Sequence, residues 1–489
     1  MSDVHVMVLT LLHTTQINES HSEMLASSLK ALTAEKETPT VELLEDFMTW
    51  LRPSGVSRSK WRLVLSLCPS CPSKVAVQAS RPKDGASNGG ESSSMSEITA
   101  VIPASKIMSH KSALRSALGK FLSTDAARSI DSRTALILHL VFETFLAGPS
   151  SEFAPYIQLL PRQLDTTLFW TDEELAALAG TRIAKFHEMD LADVKRLYTT
   201  VVKPLTQVEP HLFPPHVFTK RNVAWAWATV WARSVKLHLD TDKDGKNRGK
   251  EVAIVPLLDL ISHNYTGQAY TTVVNGRVRI MSSVPTAAGD VLQKPAGMAS
   301  NTDMLYRHNV VFVNHPSPRV TVDVELAESD PRFVERSVVL KNARFRAKDA
   351  IELDLQDEIH PDLIAFFRIA KLPSTLLTAY NDAPSVANSI SFYDPLDAVT
   401  ELRAHKAAAK LLAGLLARFP TTLADDEAMS DDDVAALSIR LRMARIVAMG
   451  EKRVLSHNLR MISDHIVELK AQVEAAKAAK AAKAAKDDL

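Results

Sequence analysis

The sequence has little of several features that mark whole classes of protein. Its 489 residues include only two cysteines, Cys68 and Cys71, which argues against a disulfide framework and suits a reducing compartment. Lys plus Arg and Asp plus Glu each total 57, so no net charge draws the chain to nucleic acid or to an anionic membrane. No apolar run approaches the roughly 20 residues of a membrane-spanning helix. What remains is a chain of ordinary apolar content that is long enough for two or three globular domains.

The N-terminal region carries no recognisable targeting signal. Residues 1–40 are weakly patterned and no lysine precedes Lys30, which is typical of neither a secretory signal nor an Arg-rich transit peptide. We therefore predict an N-terminal extension over 1–40 and, by default, a cytoplasmic or nuclear protein; mitochondrial import by an atypical signal stays open. The Cys-x-x-Cys pair has no second pair of ligands nearby, so a plain loop is favoured over a zinc or redox site.

Local patterns predict helices, short strands and two segments that cannot form a core. Apolar residues recur at helical spacing from Val41 to Trp50, whereas the Gly/Ser-rich stretch at 80–97 predicts a flexible surface loop. The residues on either side of Asn275-Gly276 alternate in polarity, which is the pattern of a β-hairpin. The Ala/Lys repeats at 471–489 predict a solvated, partly helical tail.

One apolar stretch near the middle of the chain is followed by polar residues that need partners. The run from Val252 to Leu260 is short and bounded by charge before and turn formers after, which predicts a buried strand or a tight strand-to-turn. Asp259 and His263 stand at its buried end. Each must find a hydrogen-bond partner or lose roughly 1–3 kcal/mol to desolvation.

The same stretch carries a family resemblance. Residues 256–263 resemble the P-L-x-D-x-x-N-H signature of SET-domain protein methyltransferases, in the branch similar to Rubisco large-subunit methyltransferase and actin-histidine methyltransferase. Further matches to this branch follow in the same order along residues 41–460, at Phe153–Pro161, Thr167–Trp170, Phe218–Arg233 and Pro361–Arg368. The three tryptophans of the segment 218–233 (Trp225, Trp227 and Trp231) are interpreted as core residues.

The resemblance implies an α+β fold with a defined domain order. We expect a SET-domain β fold over 41–310, with a helical insertion at about 105–234. An all-α domain of the Rubisco-methyltransferase substrate-binding type is expected over 311–470, followed by the tail at 471–489.

The resemblance also implies a set of cofactor-binding positions for S-adenosylmethionine. The residues at those positions are Arg233, Asp259, Ser262, His263 and Asn301. Ser262 stands where the family has Asn, and Lys74-Val-Ala76 replaces the family's Gly-x-Gly segment. Ala296 stands at the position of the family's catalytic tyrosine, and Gln293 replaces a second channel aromatic.

These departures argue against catalysis and against use of the cofactor. Alanine cannot donate a hydrogen bond, and the loss of one positioned donor costs about 3–4 kcal/mol of barrier stabilisation. Lys74 would set a cation beside a cofactor that already carries a sulfonium. We therefore predict no catalytic residue in this chain, and the histidines show no metal-ligand spacing.

Two functions remain open. The favoured one is a degenerate SET-domain protein that acts as a binding or scaffold component of a larger assembly, with a protein partner, RNA contact left open, and no membrane. The alternative is an active S-adenosylmethionine-dependent protein-lysine or protein-histidine N-methyltransferase with a rearranged site. His263 follows a buried strand and is interpreted as a structural residue rather than a catalyst, and Arg233 with Asp259 could form a buried ion pair.

Overall fold

The computed structural model describes residues 39–52, 63–68, 75–79, 98–239, 249–284, 289–383 and 390–487. The chain forms two compact units, one of residues 1–168 with 190–296 and one of residues 169–189 with 297–489. The predictions for residues 1–38, Cys71, Lys74 and the loop at 80–97 lie outside the described residues.

The described strands are short and pair into small sheets. In chain order they are β1 (Leu63–Leu67), β2 (Val75–Ala79), β3 (Ile98–Ile102), β4 (Met108–Ser109), β5 (Ser234–Leu237), β6 (Glu251–Ile254), β7 (Ser262–Asn264), β8 (Ala269–Val274), β9 (Arg277–Ser282), β10 (Gln293–Pro295), β11 (Val320–Glu325) and β12 (Lys348–Leu353). In the first unit β1 pairs with β2, β9 lies between β3 and β8, β6 lies between β4 and β5, and β7 runs parallel to β10. Polar side chains at the ends of β6, β7 and β10 are therefore fixed by neighbouring backbone.

The described helices connect and cover these sheets. In chain order they are α1 (Val41–Leu51), α2 (His110–Arg115), α3 (Gly119–Leu122), α4 (Ser132–Val141), α5 (Ala154–Ile157), α6 (Asp172–Ala176), α7 (Arg182–Leu197), α8 (Lys203–Val208), α9 (Lys220–Arg233), α10 (Asn301–His308), α11 (Phe333–Asn342), α12 (Pro361–Ala370), α13 (Ser374–Asp382), α14 (Ala398–Leu416), α15 (Leu423–Glu427), α16 (Asp431–Ala436) and α17 (Ile439–Asp487). A π-helical segment, Phe142–Ala147, follows α4.

Helix α9 brings Arg233 to the start of β5. Its N-cap, Thr219, accepts a hydrogen bond from the backbone N–H of Asn222 at 3.2 Å, which satisfies one of the free donors of the first turn. Trp225 and Trp227 are buried, as predicted, and the ring of Trp231 stacks on that of Trp227 at 5.3 Å between centroids. The helix ends at Arg233, so this side chain is held by a buried helix.

The second unit is mainly helical. Its core contains the inward-facing residues of β11 and β12 together with the apolar faces of α12, α14 and α17, among them Val322, Leu353, Phe366, Ala408 and Val454. Strands β11 and β12 are antiparallel, with Val322 opposite Ile351. Helix α17 continues through the Ala/Lys repeats to Asp487, which confirms the helical part of the tail prediction.

Most sequence-based expectations for local structure are confirmed. The α+β class is confirmed, and the Asn275-Gly276 hairpin joins β8 to β9 with Val274 opposite Arg277. The strand predicted from Val252 ends at Ile254 and passes into turns, which is the strand-to-turn alternative. Residues 311–470 include β11 and β12, so the all-α expectation holds only for the remainder of this segment. β12 was not predicted because only Ile351 and Leu353 face the core along it.

None of the described helices is by itself both long enough and apolar enough to cross a membrane. Helices α12 and α13, which are bent by 94° relative to each other, meet these length and composition criteria only as a pair. Within the described ranges, no group of three or more His, Cys, Asp or Glu residues could hold a metal ion.

Candidate functional site

Asp259 is placed by a strained turn that follows β6. Leu257 has φ +79°, a left-handed conformation that is costly for a side chain with a Cβ, yet it is fully buried. The backbone N–H of Asp259 donates to the carbonyl of Val255 at 3.2 Å and closes the turn. Burial of Leu257 therefore stabilises a backbone that turns the Asp259 carboxylate into the first unit.

The carboxylate of Asp259 is the centre of a buried cluster. Its Oδ2 accepts one hydrogen bond from Nη1 of Arg233 and one from the hydroxyl of Tyr156, both at 2.7 Å. Burial alone would lower the pKa of Arg233, but Asp259 and Tyr156 outweigh it and the pKa is raised. Burial, followed by the charge of Asp259, raises the pKa of Tyr156 well above its usual value, so the phenol stays protonated and donates. The ion pair proposed from the sequence as an alternative is therefore present.

Lys294, on β10, is a second cation in this cluster. Burial lowers the pKa of its ammonium to about 8; the nearby Arg233 acts in the same direction and Asp259 partly opposes both. At neutral pH the cluster thus holds two cations and one carboxylate, with Tyr156 uncharged. Oδ1 of Asp259 is buried and has no hydrogen-bond partner in the described part of the chain.

The lysine charge should therefore weaken the fold. We expect Lys294→Met to raise the free energy of unfolding by about 3 kcal/mol at pH 7, since the pKa lies well below the ordinary 10.5 and each unit corresponds to about 1.4 kcal/mol. Between pH 8 and 10.5 the unfolded chain binds more protons, so wild-type stability rises with pH in this window and the advantage of the variant disappears.

Urea unfolding of both proteins at pH 7 and pH 10.5 measures this difference. Lys236→Met is the matched control, because Lys236 is an exposed lysine on β5. Equal stability of wild type and Lys294→Met at pH 7 would show that the ammonium is adequately solvated or paired.

The residues around β7 are held by a second set of contacts. Nδ2 of Asn264 donates to Oε1 of Gln293 at 2.9 Å, and Nε2 of Gln293 donates to the hydroxyl of Ser262 at 3.4 Å. His263 stands opposite Lys294 in the β7–β10 pairing. The backbone N–H of Ala296 donates to the carbonyl of Asn264 at 2.8 Å. Ser262 and Gln293, which stand where the family pattern has an Asn and an aromatic residue, are thus joined by a hydrogen bond.

Gly267 permits this close pairing. A Cβ at this position would lie 2.3 Å from the carbonyl carbon and oxygen of Lys294 and 2.6 Å from the backbone nitrogen of Pro295. Only a residue without a side chain allows the backbone after β7 to pass so near β10. The position of Lys294 in the cluster consequently depends on Gly267.

Asn301 belongs to the second unit and is the first residue of α10. Its Nδ2 donates to the carbonyl of Phe312 at 2.9 Å, and its Oδ1 accepts from the backbone N–H of Phe312 at 2.8 Å. Both ends of the amide are therefore engaged with the loop that follows α10.

The structure brings Arg233 and Asp259 together, as the sequence allowed, and adds Tyr156 and Lys294, which sequence reasoning did not assign to a site. Tyr156 had one usable signal, because a tyrosine in an apolar helical turn needs a partner for its hydroxyl. Nothing in the sequence shows that Lys294 is half-buried. Val75 and Ala76, at the position of the family's Gly-x-Gly segment, are buried residues of β2.

Known proteins resemble this chain in sequence and in fold. A family model described as Rubisco LSMT substrate-binding matches residues 327–455. Actin-histidine N-methyltransferase of Mus musculus is 26% identical over 371 residues, which cover 73% of this chain and 60% of that protein. The Homo sapiens protein of the same name is 25% identical over 370 residues, with the same two coverages. The chain thus spans about 60% of the length of these relatives.

Solved structures show the same fold. The SET domain of LSMT bound to lysine and AdoHcy superposes with a TM-score of 0.71 at 20% identity, covering 88% of this chain and 93% of that one. Rubisco LSMT bound to AdoMet gives a TM-score of 0.69 at 21% identity, covering 87% and 93%. The order of the elements around Asp259 and the helical second unit agree with these similarities in sequence and fold. The chain has the fold of the SET-domain protein Rubisco LSMT, matches the Rubisco LSMT substrate-binding family model over 327–455, and is similar in sequence to actin-histidine N-methyltransferases.

Proposed function

We propose that this chain is a SET-domain protein that binds a protein partner within a larger assembly and does not transfer methyl groups. The observation that carries the proposal is the pair Lys294 and Ala296. Lys294, a half-buried lysine whose pKa is lowered by desolvation, stands on β10 two residues before the position of the family's catalytic tyrosine, and that position has only a methyl group.

The residues present fit a positively charged methyl donor poorly. Solved structures of the same fold bind AdoMet or AdoHcy. The family resemblance implies that Arg233, Asp259, Ser262 and His263 would be the cofactor-binding residues of the first unit. However, Arg233 and Asp259 are already paired with each other, and the cluster has an excess positive charge. Two positive unit charges about 6 Å apart repel each other by roughly 3 kcal/mol at an effective dielectric constant of 20, so a sulfonium held beside this ammonium would be disfavoured.

Two tyrosines that could supply the missing hydroxyl are engaged in other contacts, and a third directly follows β7. The hydroxyl of Tyr156 donates to Asp259, and the ring of Tyr306, in the second unit, stacks on Phe186 at 4.4 Å. Tyr265 directly follows β7, and burial raises its pKa to about 12, so its hydroxyl keeps its proton at neutral pH. This observation favours a second candidate function, an active protein methyltransferase in which Tyr265 supplies the hydroxyl.

Binding and transfer can be measured separately on the full chain. Isothermal titration calorimetry with AdoMet and with AdoHcy is expected to show weaker binding of AdoMet, by about two decades if the charge effect of roughly 3 kcal/mol holds. Incubation with radiolabelled AdoMet and cell lysate is expected to label no protein, with Rubisco LSMT and its substrate as the positive control.

Two variants decide between the candidates. Lys294→Ile combined with Ala296→Tyr should strengthen AdoMet binding, because it removes the cation and restores a phenol. Micromolar AdoMet binding by wild type together with labelling of any protein would overturn the proposal. If Tyr265→Phe then abolished that labelling, the second candidate would be the function.

The partner and the compartment follow as parts of the proposal. The second unit carries exposed basic residues at Lys341, Arg344 and Arg346, which suit an acidic protein surface or RNA. Lys348, also exposed, is already paired with Glu325 at 2.9 Å and Glu328 at 3.5 Å. Co-purification of the tagged full chain from cytoplasmic, nuclear and mitochondrial fractions would identify both the partner and the compartment.

A further inference from the structure

The second unit contains a cavity beside α10 and α17. It has a volume of about 570 Å³ and is lined by Asn301 and Thr302, by residues of the loop 313–319 and by residues of α17 between 445 and 453. This volume lies within the range of about 300–1,000 Å³ that is usual for ligand pockets. The cavity can therefore take one or two side chains of a bound chain.

The charge of the cavity wall is predominantly positive. Arg319, Arg445 and Arg453 line it, and Glu451 is the one carboxyl among the lining residues. Glu451 is buried and accepts a hydrogen bond of 2.5 Å from the hydroxyl of Thr302. Burial raises the pKa of Glu451 to about 7, so near neutral pH this carboxyl is only partly ionised. The wall therefore presents three guanidinium groups that a single, partly neutral acid does not balance.

Two of the three arginines have partners that water can replace. Nη1 of Arg319 donates to Oε1 of Glu352 at 2.8 Å, and Arg453 lies 3.0 Å from Oε1 of Glu427. The side chains of both glutamates are almost half exposed, at 45% and 48%. The Arg453–Glu427 pair is about half exposed on both sides, so it contributes little to stability and exchanges readily. Arg319 is itself only 15% exposed, but water reaches its partner Glu352.

The third arginine has an unused donor. Nη2 of Arg445 donates to the backbone carbonyl of Asp426 at 2.6 Å. Its Nε is shut away from solvent and has no hydrogen-bond partner in the part of the chain that the structure describes. A guanidinium offers five N–H donors in a planar fork, so Arg445 has unused capacity for a planar anion such as a carboxylate.

The remaining lining is apolar and aliphatic. Val313 is 75% exposed at the cavity, and Pro316, Pro318 and Ile446 extend the apolar wall. No Phe, Tyr or Trp is among the lining residues in the described part of the chain, so the bases of single-stranded RNA would find no aromatic ring there on which to stack. A free phosphate ion would gain nothing from the aliphatic half.

We propose that this cavity binds a segment of a partner protein in which an acidic side chain stands beside an aliphatic one. The acidic side chain pairs with the guanidinium groups of Arg445 and Arg319, and the aliphatic one covers Val313 and the prolines. This inference deepens the proposed function, on which it rests, by naming the chemistry of the partner.

The test uses a defined probe and the full chain. A fluorescein-labelled heptapeptide of alternating Glu and Leu, with Gly at both ends, is titrated in fluorescence anisotropy, together with its Gln counterpart. The Glu peptide is expected to bind at least about tenfold tighter than the Gln peptide, which corresponds to about 1.4 kcal/mol. Binding should also weaken as salt is raised, because exposed charges are screened.

Variants assign the binding to the cavity. Arg319→Gln with Arg445→Gln should weaken binding of the Glu peptide at least about tenfold. Val313→Asp should have a similar effect and involves an exposed side chain, so it tests the assignment even if the arginine variant fails to fold. The matched control is Arg442→Gln, because Arg442 is an exposed arginine of α17 outside the lining, and it should leave affinity unchanged.

Several outcomes would overturn the assignment. The first is equal affinity for the Glu and Gln peptides, and the second is unchanged affinity of Val313→Asp for the Glu peptide. The third is displacement of the Glu peptide by inorganic phosphate or oligouridine at concentrations that leave the bulk ionic strength unchanged. The peptide titrations contain no methyl donor. Methyl transfer in the assay described above would thus overturn the proposed function without changing this result, and failure here would leave that function standing with a different partner chemistry.

Discussion

Replacing Asp259 with asparagine is expected to lower the free energy of unfolding by about 3–5 kcal/mol, since it removes one partner from a buried ion pair. The side chain of Asp259 is 1% exposed, and its carboxylate lies 2.7 Å from Nη1 of Arg233. An amide oxygen could still accept one hydrogen bond, from Tyr156 or from Arg233, but it would leave both Arg233 and Lys294 without a counter-charge.

The measurement is urea unfolding followed by tryptophan fluorescence, because Trp225 and Trp227 are buried in the same unit as the cluster. Asp125→Asn is a matched control: its carboxylate is exposed and pairs with the exposed Arg128, so a change within about 0.5 kcal/mol is expected.

A double-mutant cycle locates the origin of the loss. Lys294→Met in the Asp259→Asn background should recover part of the stability, because it removes one of the two unbalanced cations. A loss below about 1 kcal/mol for Asp259→Asn, or strict additivity of the two substitutions, would contradict the description of these residues as one coupled cluster.

Replacing Arg368 with methionine is expected to cost a similar amount, about 3–5 kcal/mol, in the second unit. Arg368 and Glu401 are buried and form a bidentate pair, with Nε to Oε1 at 2.7 Å and Nη2 to Oε2 at 2.8 Å. Nη1 of Arg368 also donates to the carbonyls of Phe392 at 2.9 Å and Tyr393 at 3.1 Å. Without the guanidinium, the Glu401 carboxylate and both carbonyls lose donors in a site with little water.

The pH dependence of this unit has a defined sign. Burial would raise the pKa of Glu401, but hydrogen bonds from Arg368 and from the backbone N–H of Leu396 outweigh it and the pKa is lowered. The contribution of Glu401 to stability is therefore complete above its unfolded pKa and is lost as pH falls through its folded pKa. Arg368→Met should remove this acid sensitivity.

Hydrogen exchange over α12 and α14, detected by mass spectrometry, reports this unit directly. The control is Arg403→Met, an exposed arginine on the same helix as Glu401. The double variant Arg368→Met, Glu401→Met should lose less stability than either single variant, because an apolar pair leaves no buried charge. Unchanged exchange in Arg368→Met would show that the pair does not stabilise α12 and α14.

The sequence by itself determined the local structure wherever the cause is local. Asn275-Gly276 specified a hairpin because both residues tolerate positive φ, at 51° and 69°, and the flanking residues alternate. The apolar spacing after Val41 specified α1, and the succession of motifs specified the SET-domain branch. The sequence also showed that Ala296 lacks a hydroxyl, since the absence of an atom needs no coordinates.

Only the tertiary structure decided which polar groups meet. Tyr156 and Asp259 are 103 residues apart in the chain, and their hydrogen bond depends on the packing of α5 against the turn after β6. The sequence around Lys294 predicts a lysine at the surface. The pairing of β10 with β7, which Gly267 permits, instead leaves it half-buried, with its charge close enough to Arg233 to lower its pKa. Burial and charge balance are properties of the whole unit rather than of any short segment, which is why the sequence alone could not show this cluster's excess positive charge.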